Sequence, residues 1–370
     1  MEGSRHFQVG SFIICQNRLY YIILTSDAAH PLLTGTMPQV VPAVCREGDI
    51  MIHTLIPEGY ASIAAFAGIL FAFLTTIIAI SKLSGYLPKD AGRDFAHDGK
   101  LSAGKPRGAG IIFVLAFVVA SVLFVPYRTE NAIYLVLIII CMMTGFLDDA
   151  SKSPWGEYKK GFLDLCVAAL VAITFLHYNA SVVELAMFGV KFTMPPVVFA
   201  LLTVVLVWTS VNVTNCSDGV DGLSGTLTII TIMTIYFIDQ IKDLAGDFSF
   251  MILLFAVCIL GYLWYNATPS RLMMGDAGSR AMGLFISIAI LKTGCPFLYI
   301  PVALVLILDG GLGLLKVSLI RFLKIHILNH VRTPLHDHVR KVLGWSNTQT
   351  VFRFAIIQII LSAAVIYGVM

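Results

Sequence analysis

The chain has 370 residues, of which 58% are apolar and only 13% charged, with a formal net charge of +3 and a mean hydropathy of +0.85. A soluble domain of this length cannot cover so much apolar surface with about half the usual share of charge, which excludes a cytosolic enzyme, a secreted disulfide scaffold and a disordered chain. What remains is an all-α polytopic membrane protein: about ten transmembrane helices of roughly 20 residues fit the length, with loops to spare.

Residues 1–57 hold scattered polar, Pro and Cys residues around one short apolar patch, Leu19–Leu24. They lack the basic start, long apolar core and small-residue cleavage site of a signal peptide. Met51 opens a stretch that reads like an ordinary start, so 1–50 is expected to be a disordered or non-native extension that the fold does not need. The transmembrane domain is expected over 58–370. Its apolar stretches lie near 60–81, 109–126, 131–147, 162–178, 195–212, 223–241, 248–265, 279–292, 297–319 and 350–369. Continuous apolar runs read as helices, and alternating ones as barrel strands. The ninth run contains Asp309-Gly310-Gly311 and Lys316, so a bent helix partly inside the bundle is expected there. Asp309 reads as a buried polar contact in that helix rather than a catalyst. Between the fourth and fifth runs, residues 179–194 alternate enough for a small hairpin.

The distribution of charge sets the orientation. Connections after odd-numbered spans, with the approach to the tenth, hold 17 Lys and Arg; the even connections hold only Arg128, Lys191, Lys242 and Lys292. The positive-inside rule then places the odd connections in the cytoplasm and both termini outside, periplasmic or extracellular. The seven cysteines form no CxxC pair and read as reduced, small apolar residues.

The unusual polar residues gather on that same predicted cytoplasmic face. Asp148 and Asp149 follow the third span. Asn215, Asp218 and Asp221 follow the fifth, in N-C-S-D-G-V-D-G. Asn266 and Asp276 follow the seventh, the latter in M-G-D-A-G-S. His336, Asp337 and His338 precede the tenth. Any one cluster alone could be a helix stop, a turn or a cap. Four of them far apart in sequence but on one face point to a site. Carboxylates at the low-dielectric edge of a bundle are costly unless paired or bound to metal. Mg²⁺ is normally held by one or two carboxylates and substrate phosphates, and phosphoryl transfer needs positioning and charge neutralisation. Asp148, Asp149, Asp221 and Asp276 supply the acids, with Lys160 and His336 available for phosphate oxygens. Gly219, Gly222, Gly275 and Gly278 flank the acids and allow close backbone approach. Nothing points to nucleic acid.

G-F-L-D-D at 145–149, N-V-T-N-C-S-D-G-V-D-G-L at 212–223, M-G-D-A-G-S at 274–279 and P-L-H-D-H at 334–338 resemble the polyprenyl-phosphate N-acetylhexosamine-1-phosphate transferases. Within them the resemblance is to the phospho-N-acetylmuramoyl-pentapeptide transferases, whose P-I-H-H-H, G-W and V-x-R-F order is matched by Pro334–His338, Gly344-Trp345 and Val351–Phe354. It covers roughly 60–370. The resemblance implies transfer of phospho-MurNAc-pentapeptide from UDP-MurNAc-pentapeptide to undecaprenyl phosphate, giving lipid I and UMP, in a bacterial cytoplasmic membrane. It also implies Mg²⁺ as cofactor and a homodimer as a plausible assembly. In family terms Asp276 is the metal-binding aspartate. Asp148 and Asp149 are the essential pair near the lipid phosphate. Asn215, Asp218 and Asp221 form the polar triad that borders the nucleotide pocket, and His336 is the first histidine of its motif. Lys160, Asn266, His338 and Lys105 are candidate substrate contacts. Asp148 is the preferred base or phosphate-positioning group; a covalent route through Asp149 or Asp276 is the alternative. Three departures stand out: Asp337 replaces the middle histidine, K-P-R-G-A-G at 105–110 replaces a T-P-T-M-G-G loop, and Met273 stands where an aromatic ring would stack on uracil. The rival readings are the same chemistry on UDP-GlcNAc or another HexNAc, and a secondary transporter whose acids line a pathway.

Overall fold

The computed structural model describes residues 9–15, 18–24, 61–90, 92, 102–151, 153 and 155–370. In the N-terminal region, β1 (Val9–Cys15) and β2 (Arg18–Leu24) pair antiparallel. The remainder of the predicted 1–57 extension, Met51 included, lies outside the described residues.

Each of the ten apolar stretches falls on helix. Among the described residues seven helices are long and apolar enough to cross a membrane. They are α1 (Ala61–Leu83), α3 (Thr129–Asp149), α4 (Glu157–Tyr178), α5 (Pro196–Cys216), α6 (Leu223–Lys242), α7 (Phe248–Asn266) and α13 (Asn347–Val369). The chain is therefore a multi-pass membrane protein. Two further helices coincide with predicted spans but differ in character. α2 (Gly110–Phe124) is apolar but only 15 residues long. α8 (Gly275–Lys292) carries Asp276, Arg280 and Lys292, and every residue from Ala277 to Leu291 is buried inside the protein.

The ninth stretch is bent, as expected, but its sharp break falls at Ala303, upstream of the Asp-Gly-Gly run. α9 (Tyr299–Val302) and α10 (Leu304–Leu306) meet at Ala303, and the chain turns by 69° between Pro296–Val302 and Leu304–Leu323. A π turn over Ile307–Gly311 leads into α11 (Leu312–Ser318), and a second over Leu319–Leu323 ends it. Taken as one span, the broken segment makes an eighth crossing. π turns gather at functional sites, and the first one carries Asp309, which is completely buried. The expected hairpin is present: β3 (Val182–Leu185) pairs antiparallel with β4 (Val190–Thr193), Val183 opposite Phe192. A short α12 (Leu335–Lys341) carries the histidine motif. α13 follows behind a capping box in which Ser346 and Gln349 satisfy each other's backbone N–H groups.

α8 is the axis of the bundle. Its heaviest packing is on α3 and α5, with α2, α6 and α7 also against it. Rings of Phe117, Phe248, Phe255 and Phe285 pack along it, one pair stacked and the others tilted or edge-on, at centroid separations of 4.3–5.6 Å. Aromatic pairs at such separations add to the apolar burial that holds a core. The lipid-facing sides carry exposed Phe66, Ile78, Ile173, Leu201, Val205 and Ile360, as a surface solvated by acyl chains should. The cysteines Cys141, Cys166, Cys216, Cys258 and Cys295 are unbridged.

Candidate active site

One end of the bundle opens into a cleft of about 710 Å³. It is walled by helix ends and the loops that join them. From the predicted set, Lys105, Asn215, Asp218, Asp221, Asn266, Asp276 and His336 line it. Asp148, Asp149 and Lys160 are not among the lining residues but connect to them: Lys160 pairs with Asp276, and Asp148 and Asp149 each share a cation with it.

The charged centre is a network of four carboxylates, Asp90, Asp148, Asp149 and Asp276, and two cations, Lys160 and Arg107. Lys160 Nζ, from the first turn of α4, donates to Asp148 and lies 3.2 Å from Asp276 Oδ2. Arg107 Nη2 lies 2.8 Å from Asp149 Oδ1 and 3.6 Å from Asp276 Oδ1, while its Nη1 lies 3.4 Å from Asp90 Oδ1. Burial of Arg107 works against its charge, yet Asp149, Asp276, Asp90 and Asp218 outweigh that and raise its pKa above the ordinary arginine value. Asp148 is fixed from behind by the Trp155 backbone N–H at 2.7 Å. Asp149, with no exposed side-chain surface, accepts the Ala277 N–H at 3.3 Å. Its Oδ1 is buried without a well-aligned hydrogen bond.

Close backbone approach makes this network possible. Gly275 has φ +67°, and a Cβ there would fall 2.1 Å from Asp149 Oδ2. Met273 N–H donates to Pro106 O at 2.8 Å and Ala109 N–H to Met273 O at 3.0 Å. These bonds lay the 105–110 loop along the start of α8 and swing Arg107 over the acids. Arg107 was visible in the sequence only as part of a divergent loop, and Asp90 carried no signal at all.

The rest of the cleft is pinned by polar contacts. Asn266 Oδ1 accepts the Gly222 N–H at 2.8 Å and its Nδ2 donates to Leu272 O at 2.8 Å. It therefore holds the D-G-V-D-G loop against the M-G-D loop. Asp221 Oδ2 accepts the Ser270 N–H at 3.1 Å, and Lys105 Nζ donates to Ser270 Oγ at 3.0 Å. Asn215 donates to Ser279 Oγ at 2.9 Å.

His336 is held by Asp309, two elements away in sequence. Asp309 accepts the His336 backbone N–H at 2.7 Å and faces ring Nδ1 at 2.8 and 3.0 Å. The other ring nitrogen, Nε2, faces Gly219, where a Cβ would lie 2.2 Å from it. His338 is not part of the cleft lining; its Nδ1 accepts the Arg332 N–H at 3.3 Å and so ties the loop before α12. Asp337 lines the cleft and pairs with Lys341 at 3.3 Å. Met273 lines it too, and among the described lining residues there is no Phe, Tyr or Trp. Among the described residues no group of three or more His, Cys, Asp or Glu side chains is arranged to hold a metal.

Acids and cations thus cluster in one cleft at the end of a membrane bundle. A family model described as glycosyl transferase family 4 matches residues 131–294. A phospho-N-acetylmuramoyl-pentapeptide-transferase of Treponema pallidum (strain Nichols) is 38% identical over 80% of this chain and 85% of its own length. The chain belongs to the phospho-N-acetylmuramoyl-pentapeptide transferase family. Proteins of the same name from Thermotoga neapolitana and Nitratiruptor sp. are 28% and 25% identical over 81% of the chain, covering 96% and 92% of their own lengths. The family model spans three of the four motif clusters, those at 145–149, 212–223 and 274–279.

Proposed function

We propose that the protein transfers phospho-MurNAc-pentapeptide from UDP-MurNAc-pentapeptide to undecaprenyl phosphate, releasing UMP and forming lipid I for peptidoglycan synthesis. The observation that carries this reading is the pairing of Asp148, Asp149 and Asp276 with Lys160 and Arg107 at one cleft. Lys160 and Arg107 exchange carboxylate partners for the phosphate oxygens of the two substrates. Asp148, held by the Trp155 N–H, positions the lipid phosphate. One oxygen of that phosphate bonds to the sugar-proximal phosphorus of the UDP-sugar as the bond to UMP breaks, and UMP leaves with the electron pair. A phosphate nucleophile that is already ionised needs no strong base. Asn266 and Asp221 hold the two loops that would border the nucleotide. With no aromatic ring in the described lining, apolar contacts there come from residues such as Met273 and Pro269.

The residues fit a magnesium ion. Asp276 is partly open to the cleft, whereas Asp149 Oδ1 is buried and already faces Arg107 at 2.8 Å. Asp276 would hold the ion, together with oxygens of the bound substrate phosphates. Bound there, Mg²⁺ would neutralise charge on the diphosphate and on the leaving UMP. We further propose ten spans, with α2, α8 and the broken segment joining the seven long helices, and with the cleft on the cytoplasmic side of a bacterial cell membrane. The 17-to-4 distribution of Lys and Arg supports that orientation.

The test is UMP release by the purified protein with Mg²⁺, undecaprenyl phosphate and either UDP-MurNAc-pentapeptide or UDP-GlcNAc. Release with the first alone is expected. Release with UDP-GlcNAc alone would move the assignment to another sugar, and no release with either would favour transport.

A further inference from the structure

α4 and α8 run away from the cleft side by side, yet they hardly pack on each other. α4 packs on α3 and α5, and α8 packs on the same two helices. What joins α4 to α8 directly is a pair of charged rungs. The upper rung is Lys160 on α4 with Asp276 on α8, at 3.2 Å. The lower is Asp164 on α4 with Arg280 on α8, both side chains 3% exposed. Each rung is four residues, about one turn, below its counterpart on both helices. The sign is reversed between rungs: cation on α4 above, cation on α8 below. Asn212 of α5 donates to Asp164 Oδ2 at 3.3 Å, so the lower rung is also anchored to a third helix. Arg280 Nε and Nη1 are buried without partners.

A buried ion pair is weak evidence for stability, because desolvation offsets the attraction and apolar replacements are often neutral. It does discriminate among alternatives. If α4 slid one turn in one direction, Asp164 would meet Asp276. One turn in the other direction would bring Lys160 against Arg280. Either slip sets like charges together in a low-dielectric interior. The observed register is the one in which both rungs are opposite in sign. We propose that Asp164 and Arg280 are a positioning pair that fixes the register of α4 against α8 and so delivers Lys160 to Asp276. The kinetic part of this proposal rests on the transferase reading above.

The experiment is a thermodynamic cycle on kcat for UMP release. Asp164→Leu with Arg280→Met removes the lower rung while keeping side-chain bulk, and Lys160→Ala removes the upper one. The double variant should lose about tenfold or more in kcat with KM for the UDP-sugar moving less than about threefold. In that background Lys160→Ala should cost much less than in the wild type, because its placement is already lost. A merely structural pair would give additive losses. Additivity, or wild-type kcat in the double variant, would overturn the proposal. If the double variant cannot be purified, Asp164→Asn, which keeps the side-chain shape and contact with Asn212, carries the same cycle. A second reading does not depend on turnover. Nitroxide labels at the exposed Tyr158 and Arg271, with native cysteines replaced, should give one narrow separation in the wild-type background. In the double variant a population displaced by up to about 5 Å, one helical turn, should appear. An unchanged distribution would overturn the register proposal even if UMP release succeeds, and a shifted one would support it even if the transferase reading failed.

Discussion

Replacing Asp309 by asparagine isolates the residue that holds His336. The carboxylate is completely buried and makes two kinds of contact at once: the His336 backbone N–H at 2.7 Å, and ring Nδ1 at 2.8 and 3.0 Å from its two oxygens. Asparagine keeps the shape and one acceptor oxygen but turns an NH₂ group toward the other position. One charge-assisted bond is lost, and such bonds contribute roughly 1.5–3 kcal/mol. If the ring is needed in place at the transition state, about 2 kcal/mol corresponds to about a 30-fold fall in kcat/KM. The assay is UMP release by the detergent-purified protein at subsaturating UDP-sugar, alongside thermal unfolding to show that the bundle is intact. His336→Asn in the Asp309→Asn background should add little, since both act through the same ring. Turnover within twofold of wild type for Asp309→Asn, or fully additive losses in the double variant, would refute the view that Asp309 acts by aiming His336.

Other predictions concern the charged network and the backbone beneath it. Arg107→Ala leaves the buried Asp149 carboxylate without its cation, a loss that costs about 3–5 kcal/mol when a buried pair is broken; kcat/KM should fall at least about 100-fold, and near-wild-type UMP release would contradict the role given to Arg107. Gly275→Ala should abolish turnover and lower the unfolding temperature, because Cβ would strike Asp149. Gly189→Ala, at φ +63° with nothing within 4 Å, should cost only about 1–2 kcal/mol in thermal unfolding and leave UMP release intact. Chelation with EDTA should stop UMP release and added Mg²⁺ should restore it; undiminished turnover in EDTA would remove the metal from the scheme.

The helices were legible because lipid imposes a simple rule: long apolar runs become spans, and all ten runs do form helix. The hairpin at 182–193 was legible through alternation. A bend in the ninth run was expected from Asp309, Gly310 and Gly311, but those residues form a π turn and the sharp break lies upstream at Ala303. The site was partly legible. Acid, glycine and histidine motifs have strong local spacing, and seven of the named residues line one cleft. The contacts that tie them together were not. Arg107 reaches Asp149 and Asp276 only because the 105–110 loop hydrogen-bonds to the M-G-D loop, a pairing across about 165 residues of chain. Asp309 and His336, like Asp164 and Arg280, are partners only after separate elements have packed. His338 carries the same residue type as His336, two positions on, but short-helix geometry turns it away from the cleft and onto the backbone of Arg332.

The buried axis formed by α8 has a consequence for how the protein senses its surroundings. A helix whose residues from Ala277 to Leu291 meet only protein has no boundary with acyl chains. Hydrophobic mismatch acts by tilting or stretching helices that touch the bilayer, and here those are the outer ones. Thickness changes would be absorbed at the periphery before they reached Asp276. The same insulation frees α8 from the need to be greasy. Small and hydroxylated residues such as Gly278, Ser279, Gly283 and Ser287 can occupy it, chosen for how closely neighbours must approach, and polarity that would expel a solitary helix from lipid becomes a tolerable core composition.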